Sequence, residues 1–402
     1  MAERIARSIH TPLAAALAGA GAGLLCAPTA TLGDDFASVV VAYEPAPGQF
    51  INGAPSSEGF ALNDPAAALG APLGGSLSFA DNSKALSLGG FGGRVTLAFA
   101  DTVLDDPLNP LGLDAIVFGN AFWVGMNPQR RWAEAAVIEI SLDANGNGLA
   151  DDAWFLIPGS DIDPAAALDA LDTQTWDDDP LTPTPPAEAS WYPDPAIYSG
   201  VGPSFSTATF ALPSAFDAIV LDNAASDQPA LVERYVGYAD LSPTLPLGDT
   251  DADGVSDDPG ADAASFFTRP DNPFRVGIDP GSAGGDSFDI AWAIDPATGE
   301  PARLPGFDFI RLSTASNAVN PLFGEKSAEV SGVADVRAQP DRFDLDGDGR
   351  VDVEDLYAWH AKRAAGDGAA DANGDLTVNR ADESLVRRAV RADEANDVEG
   401  RR

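Results

Sequence analysis

The sequence predicts a mainly β protein: a β-sandwich or jelly-roll-like main region, followed by a small α-helical domain. Three observations predict it. Between Ser38 and Val336 the apolar residues come in short runs bounded by Gly, Pro, Asn and Asp. No long helical period interrupts that span. Beyond Phe343 the pattern changes to acidic loops, each running into a helix-like stretch. Many short strands with turn signals favour packed antiparallel sheets over an α/β fold.

Residues 1–30 read as a secretory signal peptide. Arg4 and Arg7 open the chain, and Pro12–Ala27 carries no charge. The small residues of APTATLG follow, before Asp34 and Asp35. A basic start, a short apolar run and small residues mark export. The run Pro12–Ala27 is rich in Ala and Gly and is short for a permanent span. Cys26 opens an acylated-lipoprotein alternative, but Leu25 stands where that signal wants a small residue. The expected location is secreted, extracellular or cell-surface, with no transmembrane span after cleavage.

Residues 31–337 form the expected β region. Its clearest strands are Ser38–Tyr43, Arg94–Phe99, Ala115–Phe118, Ala136–Leu142, Ala218–Leu221 and Phe307–Leu312. RVTLAF and VIEISL alternate apolar with polar, as half-buried strands do. Pro164–Leu171 is the best short helix. The Pro- and Asp-rich stretches 176–196 and 243–286 read as long surface loops, where binding usually lives. Trp123, Trp132, Trp154, Trp176, Trp191 and Tyr192 sit in or beside such stretches. Most read as core or strand-edge residues, the alternative being a ligand groove. Residues 338–342 read as a linker, 343–392 as the small helical domain and 393–402 as a disordered tail.

The charge balance excludes whole classes of function. Lys and Arg total 23 against 62 Asp and Glu, a net charge of −39. Nucleic-acid binding needs Lys and Arg to neutralise phosphates, so it is excluded. One cysteine makes neither an internal disulfide nor a CxxC zinc site. Of two histidines, His10 leaves with the signal peptide and His360 lies on a helix surface. A β region without histidine has no Ser-His-Asp triad and no His-liganded zinc. A carboxylate pair is the remaining catalytic option, with Glu134, Glu139, Glu233 and Glu325 as candidates by default.

Four acidic loops carry the most specific chemistry. In the first, Asp344, Asp346, Asp348, Asp352 and Asp355 stand at positions 1, 3, 5, 9 and 12, with Gly349 at position 6. This is EF-hand spacing: alternate oxygens turn inward, Arg350 offers its carbonyl at position 7, and glycine makes the sharp turn. Oxygen-only ligands suit Ca²⁺ over zinc or copper. A second copy begins at Asp371, with Asp371, Asn373, Asp375, Thr377, Asn379 and Asp382 as ligands. There Leu376 occupies position 6 and should weaken the turn. A third loop keeps Asp249, Asp251, Asp253 and Asp257, with Asp258 or Asp262 left to close the shell. The fourth has Asp143, Asn145, Asn147 and Asp151; its amides replace carboxylates, so binding should be weaker. It also follows a strand, where Asn-Gly signals a hairpin.

The paired loops over Phe343–Ala392 resemble a type I dockerin: two loop-then-helix halves with Asp at the last ligand position. The resemblance implies a small dockerin-like EF-hand domain that binds Ca²⁺ and docks a cohesin-like or other surface protein. Dockerins that recognise cellulosomal cohesins carry a Ser-Thr-type pair at loop positions 10 and 11. Here those positions are Val353-Glu354 and Arg380-Ala381, a departure that puts a cellulosomal cohesin in doubt. The third loop is similar to a thrombospondin type 3 repeat. Segments such as NDPAAALGAP, LSLGGFGGRVTLAF, DAIVFGNAF and GFDFIRLSTASNAVNPLFGEKSAEVSGV resemble a family of bacterial exported cell surface proteins. That resemblance implies an extracellular β-sandwich with binding rather than catalysis. Two functions are therefore expected. The first is a secreted or cell-surface calcium-binding protein with a non-catalytic binding or structural role, recognising a glycan or surface ligand. The second is a dockerin-tethered polysaccharide-degrading enzyme.

Overall fold

The computed structural model describes residues 35–45, 50–51, 62–90, 93–128, 131–157, 209–211, 218–220, 238–273, 275, 277–314, 319–320, 324–325, 327–374 and 377–399. The signal segment, the helix over Pro164–Leu171 and the loop 176–196 lie outside the described residues, as do Trp176, Trp191 and Tyr192.

The strands are, in chain order, β1 (Val39–Glu44), β2 (Leu86–Ser87), β3 (Arg94–Leu104), β4 (Ala115–Phe118), β5 (Phe122–Trp123), β6 (Arg131–Trp132), β7 (Ala136–Ser141) and β8 (Phe155–Ile157). There follow β9 (Thr209–Ala211), β10 (Ala218–Val220), β11 (Asp286–Phe288), β12 (Gly306–Thr314), β13 (Val319–Asn320), β14 (Gly324–Glu325), β15 (Glu329–Val330) and β16 (Gly332–Asp335). All pairings are antiparallel. The main sheet has the order β1-β3-β12-β7-β8, and a three-stranded sheet has the order β11-β4-β16. Neither closes into a barrel. All six expected strands are present, because runs of Val, Ile, Phe and Thr suit a pleated, buried surface.

The two sheets share one core. Leu97 of β3, Ile138 of β7 and Ile310 of β12 pack in the same cluster as Val117 of β4 and Val333 of β16. Alternate residues of β4 point the other way: Ile116 and Phe118 join a second cluster with Leu245 and Phe267. The period of two thus splits one strand between two cores.

Two expectations change here. VIEISL reads as half-buried, yet every residue of β7 is buried. Its one charge, Glu139, is matched by Arg311 directly across the ladder at 2.6 and 2.7 Å. Arg311 in turn lies 4.4 Å from the Trp154 ring centre. A cross-strand ion pair lets a polar position sit inside. The stretch 243–286, read as surface loop, is in large part core. Its Leu245, Phe266 and Phe267 are buried, and α1 (Ala263–Phe266) lies within it.

The C-terminal end holds α2 (Val353–Ala365) and α3 (Arg380–Glu399). Asp352 caps α2, and Asp355 reaches back to complete a capping box. Gly366 ends α2 at φ 69°, the left-handed value that glycine adopts freely. Helix α3 runs to Glu399, well into the stretch 393–402 that reads as a disordered tail. Trp359, Val386 and Ala389 form the small core between the helices, and Leu108 of the β region enters it. Residues 338–342, read as a linker, are fixed: Gln339 N–H donates to the Leu108 carbonyl at 2.9 Å, and Pro340–Phe343 makes a single helical turn. Arg388 pairs with Asp105 at 3.1 Å, and Asn272 donates to the Gly374 carbonyl at 3.1 Å. Leu32–Arg402 accordingly forms one compact unit. Among the described residues, no helix is long and apolar enough to cross a membrane.

Candidate metal centre

The 344 loop is built by its own carboxylates. Asp344 accepts from the N–H groups of Gly347, Asp348 and Gly349 at 2.7, 3.0 and 2.8 Å. Asp346 accepts from Asp348, and Asp348 from Arg350. These bonds curl the chain, and Gly347 and Gly349 take the positive φ values of 81° and 85° that the curl requires. Asp355 is buried and accepts from Leu345, Asp346 and Asp352 at 2.6, 3.2 and 2.8 Å. Carboxylate oxygens of Asp344, Asp346 and Asp355 lie within 4.8 Å of one another. Partial desolvation at the exposed loop and the charges of Asp348, Asp355 and Asp344 raise the Asp346 pKa. Asp352 spends its side chain on the helix cap, donated to by Glu354 at 2.9 Å.

The second loop repeats this frame. Asp382 is buried and accepts from Ala372, Asn373 and Asn379 at 2.8, 3.3 and 2.7 Å. Those donors are the counterparts, position for position, of Leu345, Asp346 and Asp352. The Asn379 side chain accepts from Ala381 and donates to the Thr377 carbonyl, so it serves the turn. Asp371 and Asn373 stand at the loop's start, while Asp375 and Leu376 lie outside the described residues.

In the 249 loop, Asp249 is buried and accepts from Ala252 and Gly254, both at 2.8 Å. Asp251 accepts from Asp253, and Asp253 from Val255. Oxygens of Asp249, Asp251 and Asp257 gather within 4.8 Å. Thr250 donates to Asp257 through its hydroxyl and its N–H, which lowers the Asp257 pKa. The residues expected to close this shell are occupied elsewhere. Asp262 caps α1 through Ser265, and Asp258 accepts from Gly260.

The 143 loop has the same curl without the same charge. Asp143 accepts from Asn147 and Gly148 at 3.0 and 2.6 Å. The Asn145 and Asn147 amides both donate to Asp151, at 3.1 to 3.2 Å. The loop joins the antiparallel neighbours β7 and β8, but through a connection from Ser141 to Phe155 rather than the two-residue turn that Asn-Gly signals.

The structure also gathers Asp105, Asp114 and Asp289, with oxygens within 4.8 Å. Spacing gives no sign of this group, since Asp289 comes from a segment far from Asp105 and Asp114 in the chain. Asp114 accepts from Asp106, Asn109 and Ile290 at 3.1, 2.9 and 2.9 Å. Of the default catalytic candidates, Glu139 is locked to Arg311, and Glu134 is buried. Glu325 lies on β14, and Glu233 is outside the described residues.

Among the described residues, three clusters therefore offer only oxygen donors at spacings that could hold a metal ion. No protein-family model matches this chain, and no curated protein sequence matches it significantly.

Proposed function

We propose that this chain is a calcium-stabilised protein of the cell exterior with a binding or structural role. The observation that carries the reading is the duplicated frame at Asp355 and Asp382. Each loop holds its buried carboxylate by backbone N–H groups from the same three positions. Hard carboxylate and carbonyl oxygens in a loop of EF-hand spacing favour Ca²⁺ among common divalent ions. The paired loops and helices support a dockerin-like domain, and the shared core of the two sheets supports a β-sandwich. Export rests on the N-terminal sequence pattern alone, and a surface protein or glycan as partner on the resemblances.

Calorimetry of the full chain with calcium and with saturating EDTA tests this. Calcium should raise the melting temperature, and Asp355→Asn should reduce the rise. An identical melting temperature under both conditions overturns the reading.

A further inference from the structure

Cations are scarce in this chain, and most described arginines are spent on carboxylates. Arg94 takes Glu44, Arg311 takes Glu139, Arg337 takes Asp35 and Arg387 takes Glu383. Arg269 and Arg342 belong to the remainder. Neither guanidinium has a hydrogen bond or ion pair among the described residues, and both line one cleft of about 420 Å³.

The cleft lies where the fixed segment before α2 meets the β region. Arg342 and Gln339 come from that segment, and Arg269 from the residues just after α1. The opposite wall is the turn Asp279–Ser282, closed by the Ser282 N–H to the Asp279 carbonyl at 3.1 Å. Gly281 takes φ 86° in that turn, as the third position of a type II turn after Pro280 requires. The wall's one carboxylate, Asp279, faces outward to Arg275 at 3.6 Å. Leu111 and Pro280 add apolar surface.

A cleft of this size, partly apolar with a few convergent polar groups, has the anatomy of a small-molecule site. Two unspent guanidinium forks match oxygen pairs on a carboxylate, sulfate or phosphate. We propose that this cleft binds a small ligand bearing an oxyanion, with Arg269 and Arg342 as its recognition pair. The bland alternative is two solvated surface arginines. It does not account for both lining one concavity in a chain where carboxylates outnumber cations. The cleft shares no residue with the metal loops, so this proposal and the calcium reading fail independently.

The test is calorimetric titration of the full, calcium-loaded chain at fixed ionic strength. The probes are glucuronate, glucose 6-sulfate and glucose 6-phosphate, with glucose as the uncharged control. At least one charged sugar should bind saturably, and glucose should not. Arg269→Gln and Arg342→Gln should each weaken that binding about tenfold or more. Arg387→Gln, on the exposed face of α3, should leave it unchanged. A melting scan checks each variant, and if one is destabilised the other decides. Absence of binding by all three charged sugars overturns the proposal. So does equal binding of glucose, or binding that survives both substitutions.

Discussion

The acids of the loops and the acids of the core are the same residue types put to opposite uses. In the loops, Asp344 and Asp249 take backbone N–H groups on both oxygens, and one oxygen of each lies within 4.8 Å of neighbouring carboxylates. In the core, Asp240 and Glu329 are fully buried beside Glu134, and Asp286 adds its charge at Asp240. Asp240 accepts from Asn120, Ala121 and Glu329 at 2.9, 3.0 and 3.0 Å. Burial still outweighs those donors, and the charges of Glu134 and Asp286 add to it, raising its pKa to about 8. Burial likewise drives Glu329 well above the ordinary range, with Glu134 and Asp240 contributing. Loop acids are arranged to lose protons to a cation, and core acids to keep them. The difference teaches that a net charge of −39 is a formal sum. Part of it is proton-bound, and part is metal-ready.

The largest expected effect comes from removing the core carboxylate. Asp240→Ala orphans three backbone donors, two of them in buried residues, at about 1–3 kcal/mol for each unsatisfied group. Unfolding by urea should show a loss of at least about 3 kcal/mol, equal with and without calcium. Asp355→Ala removes an acceptor of the same rank from the loop frame. Its cost should be larger in calcium than in EDTA, and equal costs would erase the distinction.

Calcium itself comes next. An ion that binds only the folded chain, at one hundred times its Kd, adds about 2.7 kcal/mol per site. Titrating calcium while recording the melting temperature measures the increment. A slope of about 1.4 kcal/mol per tenfold calcium, that of a single site, would limit the loading to one loop.

The pH dependence is subtler and differs in sign between the two regions. Unfolded Asp titrates near about 3.9. Asp240, at about 8, and Asp335, raised by burial to about 7 with help from Asp35 and Asp106, hold protons in the folded state well above that. Their contribution is full below about pH 4 and is lost as pH rises towards 7 and 8. Calcium-free chain should therefore melt higher at pH 5 than at pH 8. The calcium increment should run the other way, growing as the loop carboxylates ionise. Melting curves in EDTA that rise steadily from pH 5 to 8 would rule out proton-bound core acids.

The smallest effect tests the amide loop. Asn145 and Asn147 hydrogen-bond Asp151 from within. Replacing both by Asp should raise calcium affinity there more than tenfold, read by calorimetry. It should cost less than about 1 kcal/mol in EDTA, because the site is exposed.

What was legible in the sequence follows the range of each interaction. The paired C-terminal loops are local, so fixed spacing announces Asp344 and Asp355 together. The six strands are local too, marked by Val, Ile and Phe between turn residues. The core acids are not, because Asp240, Glu329 and Glu134 meet only after the sheets fold. Asp114 and Asp289 likewise meet through the pairing of β4 with β11. Nothing in Leu108, an apolar residue in a loop, says that it completes the helical core. Spacing misleads on the closing residues of the 249 loop, because Asp262 has a stronger local use as a helix cap.

One contact in the small helical core ties the two C-terminal loops to each other. The Trp359 indole, fully buried on α2, donates to the Ala370 carbonyl at 2.8 Å. Ala370 immediately precedes the first ligand position of the second loop. The helix that the first loop caps thus holds the doorstep of the second. Under the calcium reading, filling one loop should stiffen the frame of the other and make binding at the two loops cooperative, which a calcium titration followed by Trp359 fluorescence checks.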